Sequence, residues 1–448
     1  MNLDTIKQCY EDYQYKLAHF DKINQYYYGN TNSLKGFTPL AGRSNLKLNI
    51  NFVQKLVDEE ATYSYGNTIT YTSKDDNAEA INAIGYILQN NKADHDINLG
   101  RELICFGQAF EISYIDRKGK FKNKKVSPLN GYMYVDENDE PEYFLHIFEK
   151  QLDNTKYIDV YTSNAIYHLD EKLQEIAPAT EHYFGIVPVG MGLIGGKAYS
   201  EARGYVEGDK TIYRTIGSLQ DALETNLSDL VSEISDFRNS ILKMYGIELE
   251  DSTDSEGNVI LGIDGNPIKK APLIRDNAIL YFGDKAKEDA SWLEKNINDT
   301  FVKNTRDDIK DLIYTLTSHI DSNEKMQSNT SGIALRSRLS SLEAKCKDNE
   351  KAMINILQTR LQCLFKYLYL TQSKTYDANM ISILFTANIP IDEQSLADTI
   401  SKIPHEVVSN YTKRSWLPRV SNADIEGERI KKEVDAEMPQ IDLNNVGV

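Results

Sequence analysis

The chain has 448 residues, 41% of them hydrophobic, and a formal net charge of −17. That length allows roughly two to four domains with a sizeable core, and the hydrophobic share is ordinary for a globular protein and too low for a membrane protein, with no apolar run near ~18 residues to make a transmembrane helix. The acidic balance argues against a protein that grips nucleic acid through phosphate contacts, which takes clustered Lys and Arg.

The start, MNLDTIKQCYEDYQYKL, lacks the basic opening and apolar middle of a signal peptide, so a cytoplasmic origin is expected. Cys9, Cys105, Cys346 and Cys363 are scattered without a C-x-x-C pair and read as structural thiols. The seven histidines are dispersed, with no H-E-x-x-H or other paired spacing. Neither a metal nor a cofactor is expected.

Residues 1 to about 28 place Leu3, Ile6, Tyr10, Tyr13, Leu17, Phe20 and Ile23 at helical spacing, and Gly29 of NQYYYGN serves as the stop. Residues 31–45, with Gly36, Pro39 and Gly42, form a loop. A short strand follows, then a helix over about Phe52–Tyr65 and a strand at Thr68–Tyr71. Val53, Leu56, Val57 and Glu60 fall on adjoining turns of that helix, as packing requires. Residues 78–110 are helical again. From Phe110 to Tyr183 the period changes to two, in runs such as EISYID and EYFLHIFE separated by the turns RKGK, SPLNG and ENDEPE. An antiparallel sheet on the N-terminal helices gives an α+β domain.

Gly190–Gly195, GMGLIG, matches G-x-G-x-x-G after the strand-like FGIVPV. A nucleotide site would need a βαβ unit with further parallel strands. One long helix follows instead, and the Walker pattern fails because Lys197 precedes Ala198. The reading adopted is a flexible turn into the next helix.

That helix steps by threes and fours through Ile212, Ile216, Leu219, Leu223, Leu227, Leu230, Ile234, Phe237 and Ile241. Asp221, Glu224, Asp229, Glu233 and Asp236 occupy its other face. Such a helix packs along one side and exposes an acidic one, a solvated face by default and a channel lining as the sharper alternative. Residues 243–292 read as a small β-rich insertion with turns at Glu256–Asn258 and Asp264–Pro267. A second helix runs from about Trp292 to Ile320. Asp321–Ser331 is a polar loop rich in Asn and Ser, and from Gly332 a long helix carries Leu335, Leu339, Leu342, Cys346, Met353, Leu357, Leu361, Leu364 and Leu368 on one face. Roughly 37 residues at ~1.5 Å each make a rod of about 55 Å. It is locally basic, with Arg336, Arg338, Lys345, Lys347, Lys351, Arg360 and Lys366 against Glu343, Asp348 and Glu350. A β-like run, ISILFTANIPID, and helical segments complete the chain before a tail without period.

No Ser-His-Asp arrangement, P-loop or metal motif emerges, so no enzyme is expected. Two one-faced helices and one very long helix cannot all bury their faces in a slim monomer. Copies arranged head to tail in a ring could supply the missing surface.

The run SNTSGIALRSRLSSLEAK resembles the signature of bacteriophage portal proteins, specifically the portal family of long-tailed phages of Gram-positive hosts. In that family an N-x-SGIAL segment closes a loop facing the DNA channel and opens the long helix behind it. The YYYGN helix ending, the block carried by Asn51, Phe52, Val57, Asp58, Tyr65 and Gly66, and the ending with Ser409, Thr412, Pro418, Val420 and Glu426 are similar as well. The sequence departs from many relatives after IVPV, where they carry an Asn-rich loop.

The resemblance implies a portal fold: an α/β wing (1–204), stem helix 1 (205–242), a small β-rich clip (243–291), stem helix 2 (292–320), a tunnel loop (321–331), the long helix and a wing strand (332–395), and a helical crown with a flexible tail (396–448). It implies a ring of about twelve subunits at one capsid vertex, assembled in the host cytoplasm, through which double-stranded DNA enters and leaves. Asn323, Glu324, Lys325, Met326, Gln327, Ser328, Asn329, Thr330 and Ser331 would face the channel. Arg336 and Arg338 would be inter-subunit ion-pair partners or phosphate contacts. Gly257, Asn258, Asp264, Gly265, Asn266 and Pro267 of the clip would meet the large terminase subunit and later the head–tail adaptor, with major capsid and scaffold proteins as further partners. Two other classes fit less of the chain: an adaptor or minor capsid protein, which is shorter and lacks a clip between paired helices, and an enzyme using Gly190–Gly195 for a nucleotide.

Overall fold

Asparagine opens three of the first helices in the computed structural model, which describes residues 2–36, 44–153, 155–195, 210–237, 242–245, 251–269, 289–292, 299–321, 332–387, 393–417 and 423–437. Asn2 caps α1 (Leu3–Tyr27), Asn51 caps α3 (Phe52–Tyr65) and Asn77 caps α4 (Ala78–Leu88), each side chain accepting from a backbone N–H of the first turn. The short α2 (Asn32–Gly36) and strand β1 (Thr70–Ser73) lie between them. α5 (His95–Phe106) stops at Gly107, whose φ of 70° is the left-handed cap conformation that glycine takes without penalty.

Eight strands follow: β2 (Gln108–Ile115), β3 (Phe121–Val126), β4 (Gly131–Val135), β5 (Pro141–Glu149), β6 (Lys156–Tyr161), β7 (Ala165–Asp170), β8 (Glu175–Glu181) and β9 (Val189–Leu193). They form a three-stranded sheet, β3-β2-β9, and a five-stranded meander, β4 to β8, all antiparallel. One turn device recurs. At Asp116, Asp136, Asp170 and Asp254 the carboxylate accepts from the backbone N–H groups two and four residues on. The residue three on turns left-handed, as Gly119, Asp139, Leu173 or Gly257. The Asp side chain thereby closes the loop locally.

The rest of the first compact unit, residues 1–387, comprises α6 (Ile212–Phe237), β10 (Leu242–Tyr245), β11 (Asp289–Trp292), α7 (Asp299–Thr317), α8 (Gly332–Gln372) and β12 (Ile381–Leu384). α8 spans 41 residues, about 61 Å at ~1.5 Å per residue. Leu342, Cys346, Met353, Leu357, Leu361, Leu364 and Leu368 are all buried, as the spacing predicts. Ala352, Ile356, Arg360, Cys363 and Phe365 are buried too, so beyond Ala352 the helix is covered on more than one face. It runs through the largest core, with residues of α1, α3, α4 and α5 around it. A second cluster seats Ile6, Cys9, Tyr10 and Tyr13 of α1 on Leu145, Ile147, Ile158, Val160 and Leu169 of the meander. A third, around Phe110, Phe144 and Val189, joins the two sheets.

Three sequence readings are corrected. Residues 31–45 are not all loop, since Asn32–Gly36 forms the short α2. Trp292 does not open a helix: it pairs with Leu242 in the β10–β11 ribbon, and α7 begins at Asp299. Gly190–Leu193 is strand rather than turn, because β9 pairs antiparallel with β2.

The second unit, residues 388–448, contains α9 (Glu393–Lys402), α10 (Asn410–Ser415) and α11 (Ala423–Glu437). Ser409 caps α10 by accepting from Thr412 N at 3.2 Å. Gly427 of α11 lies against the Arg414 guanidinium, which would have to shift to admit a methyl group. Among the described residues no helix is long and apolar enough to cross a membrane.

Candidate functional site

α8 is fixed in the core by charge as well as by apolar contact. Arg360 Nε lies 2.7 Å from Glu111 Oε2 and its Nη2 lies 2.6 Å from Glu111 Oε1 and 2.7 Å from Asp96 Oδ1. His95 Nε2 is 2.6 Å from Glu111 Oε1. Arg360 and Glu111 are each 1% exposed. Burial alone would push the Glu111 carboxyl up, but Arg360 and His95 outweigh it and hold it below the usual range. Burial likewise opposes the Arg360 charge, and Glu111 and Asp96 more than restore it. The ligand atoms of His95, Asp96 and Glu111 lie within 4.8 Å of one another. The Arg360 guanidinium bonds both carboxylates of that group, which makes it an ionic cluster.

A second buried carboxylate sits nearer the start of α8. Glu60 of α3 lies 2.6 Å from Lys345 Nζ, accepts from Asn349 Nδ2, and has His319 Nε2 at 3.8 Å. Two further cations of α8 pair along the helix surface, Lys347 with Glu350 at 2.6 Å and Lys351 with Asp348 at 3.1 Å. The basic row therefore includes one deeply buried side chain, Arg360, and several cations already neutralised.

The acidic side of α6 is also not simply solvated. The extended residues 44–50 and the start of α3 lie along this helix, and their backbone N–H groups find acceptors at every fourth residue. Leu46 N donates to Ser232 Oγ at 3.0 Å, Leu48 N to Ser228 Oγ at 2.9 Å, Ile50 N to Glu224 Oε1 at 3.0 Å and Val53 N to Gln220 Oε1 at 3.0 Å. Glu224 is fully buried and also accepts from Thr31 and Ser33 hydroxyls. Asp221 takes the Tyr26 hydroxyl at 2.6 Å and Ser33 N at 3.1 Å. This corrects the solvated-face reading at both positions, whereas Asp229 stays exposed. Hydrophobic periodicity could not show it, because the acceptors serve backbone groups of an irregular segment.

The glycines of GMGLIG have a packing explanation. A Cβ on Gly190 would come within 2.6 Å of Ile356 O, and one on Gly192 within 2.7 Å of Ala352 O. Both glycines let β9 and α8 touch backbone to backbone.

The sequence-predicted site residues are placed unevenly. Asn323, Glu324, Lys325, Met326, Gln327, Ser328, Asn329, Thr330 and Ser331 lie outside the described residues. Arg336 and Arg338 belong to the first turns of α8, and their side chains lie outside the description. Gly257, Asn258, Asp264, Gly265, Asn266 and Pro267 are all exposed, in residues 251–269. Three short segments there bond cyclically: Ser252 N donates to Ile268 O at 2.7 Å, Ile268 N to Ile260 O at 2.9 Å and Ile260 N to Ser252 O at 2.8 Å. The donors recur every eight residues. Gly257 and Gly265 supply the left-handed corners. Val259, Ile260, Leu261, Ile263 and Ile268 are exposed on this motif.

An α+β body around one long, internally clamped helix, preceded by two helices that bracket a small β insertion, defines a structural scaffold. The chain belongs to the phage portal protein family, SPP1 Gp6-like, whose model matches residues 6–440. It is therefore a portal, the connector at the capsid vertex, and the family is structural rather than enzymatic. Among solved structures the chain is similar to one in the neck of an empty GTA particle computed with C6 symmetry, with a TM-score of 0.42 and 9% identity over 82% of this chain and 90% of that one. No curated protein matches the chain.

Proposed function

We propose that the chain is one subunit of a homo-oligomeric ring of about twelve copies, through which double-stranded DNA passes without sequence-specific contacts. The observation that carries this reading is the order α6, β-rich insertion, α7, residues 321–331 and α8, which is the order of stem, clip, stem, tunnel loop and channel-spanning helix in portals. In this reading residues 1–204 are the wing, 205–242 and 292–320 the stem, 243–291 the clip, 321–331 the loop turned to DNA, 332–395 the long helix with a wing strand, and 396–448 the crown. The loop residues Asn323–Ser331 touch the passing duplex, and the acidic ring wall limits phosphate sticking. Arg336 and Arg338 make inter-subunit ion pairs in preference to phosphate contacts.

The clip takes the large terminase subunit during packaging and the head–tail adaptor afterwards. What supports this is the set of exposed apolar side chains on residues 251–269, more than so small a motif could cover by itself. Scaffold and major capsid proteins are the other partners, met in the host cytoplasm during assembly, and the chain performs no catalysis. Particle mass of the purified protein, with and without scaffold, tests the reading. A ring of about twelve 51.0 kDa chains with a central hole is expected. A stable monomer or dimer under all these conditions would overturn it. Arg336→Ala with Arg338→Ala should lose rings if the arginines pair between subunits, and should keep rings but impair packaging if they touch DNA.

A further inference from the structure

We infer that Glu60 is a positioning residue: it fixes the N-terminal half of α8 against α3 and leaves the C-terminal end of α7, on the other side of residues 322–331, with a weaker contact that can yield. The inference rests on the reading that this stretch faces DNA, and its test separates the two.

Glu60 is the charged exception on the buried face of α3. Val53, Leu56, Val57 and Ala61 around it are buried and apolar. A carboxylate taken out of water must be repaid by partners. Here they come from both sides of residues 322–331. Lys345 and Asn349 belong to α8, on successive turns, and His319 follows α7 by two residues. Asn349 is as deeply buried as Glu60 itself, and the His319 side chain is 2% exposed. Water is therefore largely replaced by protein at this carboxylate, and no apolar contact could substitute for its direction.

The two arms are unequal. On the α8 side Glu60 has an ion pair at 2.6 Å and an amide donor. On the α7 side the contact is 3.8 Å. His319 Nδ1 is 2.9 Å from Thr317 O, and Nε2 has no hydrogen-bond partner. A neutral imidazole carries one N–H, so it serves Thr317 or Glu60 and never both. Only the imidazolium would serve both, and burial pushes His319 below its ordinary range, against the pull of Glu60. Lys345 adds to the burial effect, Glu59 opposes it, and the Glu60 carboxylate also faces Cys346. The turn itself is strained, because Ser318 holds φ at 63° where glycine is favoured. The α8 arm is thus the fixed one and the α7 arm the yielding one. A displacement of the α7 end relative to α8 breaks no good hydrogen bond to Glu60.

The experiment is amide hydrogen exchange on the full-length assembled protein, comparing wild type with Glu60→Gln, Lys345→Met and His319→Phe. Glu60→Gln should raise exchange at least tenfold in 339–349, with a smaller rise in 313–321, leaving β2 and β6 unchanged. His319→Phe should raise it in 313–321 alone. If Glu60→Gln fails to fold, Lys345→Met carries the test, since Lys345 is partly exposed and its loss should loosen 339–349. Exchange that rises equally in β2 and β6, or in neither arm, overturns the inference. DNA packaging by the same variants tests the reading beneath it. Loosened arms with unimpaired packaging would leave Glu60 in its role and remove residues 322–331 from the DNA path.

Discussion

Arg360 of α8 meets Glu111 of β2 through two nitrogen–oxygen contacts of 2.7 and 2.6 Å, with both side chains 1% exposed. A pair so buried is not a gain over two well-packed apolar residues, but breaking it strands a charge. Arg360→Met should cost about 3–5 kcal/mol. Adding Glu111→Leu should recover most of that. Guanidinium unfolding at one fixed protein concentration checks both, since oligomer stability shifts with concentration.

Glycine substitutions should part in sign. Gly190→Ala puts a methyl group within 2.6 Å of a backbone oxygen of α8. Neither backbone can yield cheaply, so a loss of about 1–3 kcal/mol is expected. Gly85→Ala, inside α4 with nothing within 4 Å, should gain roughly 0.5–1 kcal/mol from helix propensity. Thermal melting of the two variants side by side measures the contrast.

The backbone ladder on α6 should be separable rung by rung. Ser228→Ala removes the acceptor of Leu48 N, at about 1 kcal/mol, and should speed exchange of that amide. Glu224→Ala strands Ile50 N and two hydroxyls together. Its cost should be several-fold larger and should spread to the amides of Leu46 and Leu48.

Acid should find His146 early. Burial first, and the Lys124 charge second, lower its pKa from 6.5 to about 3. Lys124 Nζ donates to Nε2 at 3.4 Å, which requires the neutral ring. The unfolded chain therefore binds this proton at higher pH than the folded one. The stability tied to His146 is fully present above pH 6.5 and drains as pH falls toward about 3, by at most ~1.4 kcal/mol per pH unit. His146→Gln should flatten that slope in a series of denaturation curves, with little change at pH 8.

The long helix, its apolar face and the antiparallel sheets were legible because leucine spacing and period-two runs report directly on burial. The recurring Asp turns were partly legible, their glycine corners visible as RKGK and SEGN. Glu60 and Arg360 could have been suspected, since each sits among apolar positions of its helix where a charge needs a partner. The partners could not be named, because Lys345 and Glu111 are brought in by tertiary folding. Trp292 was misread because an apolar residue at helical spacing can equally fill a strand, and only pairing with Leu242 decides. The Glu224 seat left no signal, since Thr31, Ser33 and the Ile50 N–H reach it only once tertiary folding lays residues 31–50 along α6.

Among the described residues β1 finds its strand partner in β12, Thr70 opposite Leu384 and Ser73 opposite Ile381. A ribosome delivers these strands at nearly opposite ends of the first unit. Until α8 and β12 emerge, Glu111 has no guanidinium, β9 has no helix against its glycines, and the edge of β1 stands open. Closing so long a loop costs little more free energy than closing a shorter one, by about 0.6 kcal/mol per doubling, but such high-contact-order closure is slow. The nascent N-terminal half therefore spends its synthesis with unpaired edges and exposed apolar surface, the condition in which chains aggregate. Chains truncated before Ile381 should accumulate as insoluble material instead of a smaller folded unit.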